Sequence, residues 1–133
     1  MNSITITGRV GRDPELRFTT AGKAIANFSV AVTRKAKDEE ETTWFDCVAF
    51  GEQAEHYCAS FPKGSRVIVI GRFEIKDYQN KDGEARKKHQ IIVDEAGLSA
   101  RWKNLLIDHT TSSSDAERVS EAFPSGSFPE EPF

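Results

Sequence analysis

Trp44 and Phe50 sit six residues apart in the stretch Thr43 to Phe50, whose alternating pattern reads as a β-strand. Both rings then share one face, about 20 Å apart at ~3.3 Å per residue. Tyr78 belongs to a polar hairpin that also holds Lys76, Lys81, Arg86, Lys87 and Lys88. Flat rings stack on other flat π-systems, and cations beside them neutralise phosphates. A single nucleic acid strand offers both partners, because its bases expose faces that a duplex hides. Each stacked base contributes roughly 1–3 kcal/mol whatever the sequence, and each neutralised phosphate releases counterions, so affinity falls as salt rises.

Taken one at a time, these residues have plainer readings. Phe50 alone is more often a core residue, Trp44 beside Thr43 and Asp46 divides evenly, and Tyr78 in its polar hairpin leans to function. The run Lys37 to Glu41 is most simply a solvated hairpin tip, and its acids would repel a phosphate backbone. The combination favours nucleic acid where the single residues do not.

Catalysis has little to stand on. Glu52 and His56 are four apart on one helix face with Cys58 nearby, which assembles at most two local zinc ligands, and no Cys-x-x-Cys or His-x-x-x-His spacing exists. His56, His89 and His109 fall in a helix, a strand and a tail, with no Gly-x-Ser-x-Gly elbow and no glycine-rich phosphate loop. No cofactor or metal is expected, and the chain reads as a binding protein rather than an enzyme.

The elements that must carry these side chains are mostly strands. Ile4, Ile6, Gly8 and Val10 alternate with Thr5, Thr7 and Arg9, the two-residue period of a half-buried strand. Gly11, Asp13 and Pro14 break it, and Leu16 to Thr19 is a short continuation. Ala21-Gly22 is a turn, and Ile25, Phe28, Val30 and Val32 mark a second long strand. Thr43 to Phe50 is the third. Its faces are Trp44, Asp46, Val48, Phe50 on one side and Phe45, Cys47, Ala49 on the other, so both are rich in large apolar groups and one requires an explanation. Between Gly51 and Gly64 the period changes, with Ala54, Tyr57, Cys58 and Phe61 at the spacing of one amphipathic helix stopped by Pro62 and Gly64. Val67 to Ile75, a turn at Asn80 to Gly83, and His89 to Val93 complete the order. Five strands with one helix between the third and fourth fit an all-β Greek-key barrel of the oligonucleotide/oligosaccharide-binding (OB) type, with a β-sandwich as second choice.

Charge divides the chain in two. Residues 1–107 carry 17 Lys and Arg against 15 Asp and Glu, while residues 108–133 carry 1 against 6. A mildly basic body with an acidic tail often accompanies a polyanion-binding domain. Residues 1–107 are therefore expected to be one barrel domain and 108–127 a disordered Ser/Thr-rich linker, too poor in apolar residues to offset chain entropy. Residues 128–133 end in Glu130, Glu131, Pro132 and Phe133, an acidic pair beside an aromatic that no core of its own could bury. Trp102, Leu105, Leu106 and Ile107 read as packing on the barrel end or in a subunit contact. No apolar run reaches the ~18 residues of a membrane span, and Cys47 and Cys58 read as buried thiols of a reducing compartment, so a cytoplasmic location is expected.

Several of these segments, in order, carry a resemblance. Ile4-Thr5-Ile6-Thr7-Gly8-Arg9-Val10-Gly11-Arg12-Asp13-Pro14-Glu15-Leu16-Arg17-Phe18 is similar to the first strand of bacterial single-stranded DNA-binding proteins. The likeness continues through Ala26-Asn27-Phe28-Ser29-Val30-Ala31, Trp44-Phe45 to Phe50-Gly51, and Lys63-Gly64-Ser65 to Gly71. It covers roughly residues 3–95 and returns at the tip. What it implies is an OB-fold subunit that assembles as a homotetramer and wraps single-stranded DNA, serving replication, recombination and repair in the cytoplasm, at the nucleoid. Trp44, Phe50 and Tyr78 match the family's stacking positions, Tyr78 standing where Trp is often found. A further aromatic of many members appears as Ala36 or its neighbours, Asp77 and Glu52 stand where basic residues are frequent, and the run Asp38 to Glu41 is unusually acidic. Glu130, Glu131, Pro132 and Phe133 match the family tip that docks on replication, recombination and repair enzymes.

The expected mechanism is stacking on Trp44, Phe50 and Tyr78 with phosphate neutralisation by Arg9, Arg17, Lys23, Arg34, Lys35, Lys63, Arg72, Lys76, Arg86 and Lys87. An OB-type RNA-binding or translation module shares the platform, and an adaptor acting through its tail alone would leave the barrel inert.

Overall fold

Alternation decides which side of each strand is buried. In the computed structural model, which describes residues 1–107, β1 (Ile4–Val10) turns Ile6, Gly8 and Val10 inward and Arg9 outward. β2 (Glu15–Phe18), β3 (Ala24–Ala36), β4 (Glu39–Phe50), helix α1 (Glu52–Ser60), β5 (Arg66–Gln79) and β6 (Ala85–Leu98) follow. The linker 108–127 and tip 128–133 lie outside the described residues. Met1–Lys103 form one compact unit, and the architecture below is that unit's.

The sheet order is β1-β5-β6-β4-β3-β2, and β1 also pairs with β3 through Arg9↔Ala31 and Val10↔Val30, which joins the ends into a barrel. β2 pairs with the adjoining part of β3, Glu15↔Asn27 to Phe18↔Ala24. β1 and β2 are thus one barrel strand interrupted at Gly11 to Pro14, so the barrel has five strands, with α1 between the third and fourth. The expected OB-type architecture is the one that forms. Only β4 and β6 run parallel, from Asp46↔Gln90 to Val48↔Ile92. Closure needs close backbone approach at two glycines. A Cβ on Gly8 would lie 2.9 Å from the carbonyl carbon of Ala31, and one on Gly71 2.9 Å from that of Ile92.

The core is built from the inward parity. Val10, Val30, Cys47, Val67, Val69 and Ile91 are fully buried around Phe28. α1 closes one end of the barrel through Ala54, Tyr57 and Phe61, with Phe28 edge-on to Tyr57 and Phe61 at centroid distances of 6.4 and 5.8 Å. Burying a large apolar side chain of this kind contributes roughly 1.5–3 kcal/mol. Cys47 lies in this packing, and burial, with Asp46 adding repulsion, pushes its thiol up to about 12.

Three strands run well past their apolar patterns: β4 begins at Glu39, β5 continues to Gln79 and β6 spans Ala85–Leu98. The extensions form two hairpin arms. The β3–β4 arm turns at Lys37 and Asp38, both in the left-handed region (φ 51° and 66°), the backbone of a two-residue hairpin turn. The β5–β6 arm turns at Asn80, whose side-chain oxygen accepts from the amides of Asp82 and Glu84 (3.0 and 2.9 Å), with Gly83 at φ 78°. From Ile75↔His89 to Gln79↔Ala85 every residue of that arm is exposed. Its root is held by Phe73, stacked on His89 at 5.9 Å and edge-on to Phe45 at 6.2 Å. Hydrophobic periodicity cannot mark a strand whose two faces both meet water, which is why the arms exceed the expected bounds.

Candidate nucleic-acid interface

The third barrel strand's excess of apolar groups is explained by β4's two faces. Cys47 and Ala49 enter the core, while Trp44 and Phe50 stand on the outside, 55% and 38% exposed. On the neighbouring β3, the register sets Ile25, Asn27, Ser29 and Ala31 opposite Phe50, Val48, Asp46 and Trp44. Small and polar residues therefore floor the space between the rings. Ser29 donates to Asp46 at 3.2 Å, and Lys88 reaches the same carboxylate at 3.9 Å.

Trp44 and Tyr78 line one open cleft of about 640 Å³, together with Asp46, Lys76, Asp77, Lys87, Lys88, His89 and Gln90. Tyr78 is half exposed and faces Arg86 across the arm. Lys76 and Lys88 form the next pair on that face, and Glu74 and Gln90 the one after. The parallel pairing of Gln90 with Asp46 continues the same surface onto β4, which brings two distant sequence segments into one track.

The other cations divide. Lys23 sits over the Phe50 ring, 5.4 Å from its centroid. Arg17 lines a second cleft with Arg12, Glu15, Asn27, Ser29, Asp46 and Lys88. Arg9 and Lys35 line a third, beyond Ala31. Arg72 stands outside these clefts on β5. Lys63 donates its backbone amide to Asp13 at 2.9 Å, closing the loop beside Gly11. Arg34 stands opposite Glu41, Lys35 lies 3.9 Å from Glu40, and Arg86 pairs with Glu84 at 3.0 Å. These three cations are partly compensated by neighbouring acids, all on exposed arms where such pairs are weak.

Sequence reasoning gave Arg12, Asn27 and Gln90 no role in the site, and set Lys88 in the cationic hairpin without counting it among the phosphate contacts. The signal was available for Lys88, since it alternates with Arg86 along one strand face. Asn27 needed the register: only the pairing Asn27↔Val48 shows it to lie between Trp44 and Phe50. Its amide nitrogen is buried and has no acceptor among the described residues. The aromatic ring of Trp102 is not taken into the barrel's core. It lies on the Arg66 guanidinium, 3.9 Å from ring centroid to carbon, and stays 62% exposed.

The chain is thus a five-stranded OB-type barrel that holds aromatic rings outside its core, on a face threaded with lysines. The model of the single-strand binding protein family matches residues 1–99. The single-stranded DNA-binding protein of Paenarthrobacter aurescens is 39% identical over 115 residues, covering 81% of this chain and 67% of that relative. That of Mycolicibacterium smegmatis is 37% identical over 118 residues, covering 84% and 72%. The chain belongs to the single-strand binding protein family.

Proposed function

We propose that this chain binds single-stranded DNA without regard to sequence, by stacking bases on Trp44, Phe50 and Tyr78 while lysines and arginines neutralise the phosphates between them. The observation that carries this reading is the outward parity of β4. Trp44 and Phe50 are large rings kept out of a core that Cys47 and Ala49 enter from the same strand, and the Trp44 end opens into a cleft with Tyr78, Lys76 and Lys87. Stacking on these rings is indifferent to base identity. The names of the relatives, all single-stranded DNA-binding proteins, choose DNA as the strand.

The chain acts by occupying and protecting the strand during replication, recombination and repair, with no chemical step of its own. It assembles as a homotetramer. The apolar groups Ile68, Ile70 and Leu98, exposed together around one shallow groove, are the kind of contiguous patch that a subunit contact covers. Glu130, Glu131, Pro132 and Phe133 recruit partner enzymes, the acids pairing with Arg or Lys and the ring filling an apolar slot. A cytoplasmic, nucleoid-associated location follows from that role, and no helix among the described residues is long and apolar enough to cross a membrane.

The test is titration with oligo-dT at several salt concentrations, read by tryptophan fluorescence, with poly-U and duplex DNA as competitors. Quenching by oligo-dT that weakens as salt rises is expected. Preference for duplex would overturn the reading, and preference for poly-U would transfer it to RNA.

A further inference from the structure

Arg66 and Arg101 flank one indole, with Arg9 beside Arg66 and donating to the Gly64 carbonyl at 3.0 Å. Arg66 lies beneath Trp102 at 3.9 Å and Arg101 approaches the same ring at 5.2 Å. The backbone fixes this placement: the Ser99 amide donates to the Arg66 carbonyl at 2.9 Å, and the Ser99 hydroxyl accepts from the Arg101 amide at 3.3 Å. Arg9 is the cross-strand partner of Arg66. Among the described residues none of the three arginines has a carboxylate within 4 Å, and the Nε of Arg66 is buried without an acceptor. Partial burial, with Arg101 and Arg9 adding repulsion, holds the Arg66 guanidinium below the usual arginine range. Three like charges held together in this way lack an anion.

The cluster is continuous with the stacking face. Trp44 pairs with Ala31, Ala31 with Arg9, and Arg9 with Arg66, a row running straight across β4, β3, β1 and β5. Directly paired residues share a face, and three strand spacings of ~4.8 Å carry the row about 15 Å from Trp44 to the residue on which Trp102 rests. Along the row a cleft of about 480 Å³ opens, lined by Arg9, Ala31, Lys35, Arg66, Trp102 and one acid, Glu40.

We propose that Trp102 with Arg9, Arg66 and Arg101 is a further station for single-stranded DNA, where a base stacks on the exposed side of the indole and the arginines take successive adjoining phosphates. The strand leaves Trp44 along the Ala31 row rather than ending there. This rests on the DNA reading above and adds a second exit from its central platform. Planar guanidinium groups suit the role, since they both pair with phosphate and stack on the ring.

The chain's only two tryptophans, Trp44 and Trp102, make the test direct. In full-length Trp44→Phe protein, an oligo-dT near the upper end of the ~4–16 nucleotides an OB fold takes quenches Trp102. In Trp102→Phe protein it quenches Trp44. Quenching of Trp44 with Trp102 unchanged overturns the station and spares the general reading. Absence of quenching of both tryptophans overturns the station and the general reading together. Arg66→Gln and Arg101→Gln each lower the slope of log affinity against log salt by about 0.7, the share of one phosphate contact on a single strand. Quenching of Trp102 with both slopes unchanged would mark an indirect effect and also overturn the station. Arg101, on an exposed bend, carries the measurement if the Arg66 variant does not fold.

Discussion

Gly11 is the floor beneath the Trp44 indole: a Cβ there would lie 2.7 Å from Cη2 of the ring. The break between β1 and β2 thus does more than let the chain change direction, since it leaves the space in which the central platform rests. Gly11→Ala should tilt or displace the ring while leaving the buried core intact. The expected outcome is a loss of oligo-dT affinity approaching that of Trp44→Ala with little change in melting temperature, measured by parallel titration and thermal denaturation.

Removing a platform should cost binding in proportion to one stacked base. Trp44→Ala, Phe50→Ala and Tyr78→Ala are each expected to weaken oligo-dT affinity by roughly 1–3 kcal/mol, about 5- to 150-fold. Competition titrations with a labelled oligonucleotide decide it, and an unchanged affinity for any one variant removes that ring from the track.

Cations should differ according to their neighbours. Lys87 lines the Trp44 cleft opposite Asp77 but forms no ion pair within 4 Å among the described residues, whereas Arg86 pairs with Glu84 at 3.0 Å. Lys87→Gln should lower the salt slope by about 0.7, and Arg86→Gln should lower it less. Equal slopes would mean that the surface pair with Glu84 does not hold Arg86 back.

Alkaline stability should report on Cys47. Its thiol is raised from 9.0 to about 12 in the folded protein, so the folded state keeps a proton that the unfolded chain releases. The stabilisation is complete below pH 9 and is lost as pH rises toward 12, with a limiting slope of ~1.4 kcal/mol per pH unit. Urea unfolding across that range should fall more steeply for the native chain than for Cys47→Ala; parallel curves would contradict the assignment.

The core has its own probe. Phe28 is packed edge-on against Tyr57 and Phe61 where α1 meets the barrel. Phe28→Ala should cost about 3–5 kcal/mol in chemical denaturation, while any molecules still folded bind oligo-dT normally.

Much of this was legible in the chain itself. Ile6, Val10, Phe28 and Val30 announced their strands because burial on one face leaves a two-residue period, and Ala54, Tyr57 and Phe61 announced the helix in the same way. Tyr78 stood out as a large ring among polar neighbours, whereas Phe50 taken alone read as a core residue, and its 38% exposure on the outer face of β4 came only with the fold. The arms were only half legible, since Arg86, Lys87 and Lys88 alternate with nothing apolar. Asn27 and the Arg66–Trp102 stack depended on partners tens of residues away. Cross-strand register brought them together, and local pattern carries no record of it.

The exposed β5–β6 arm has a further consequence for how such a molecule can change. None of the ten residues from Ile75 to Gln79 and Ala85 to His89 is buried, so, His89 at the root apart, the barrel does not depend on their identity. The arm behaves as a cassette: its tip could be grafted, lengthened or re-lettered to tune grip on the strand without renegotiating the fold. The β4 platform has no such freedom, because every second residue beside Trp44 and Phe50 is bound to the core.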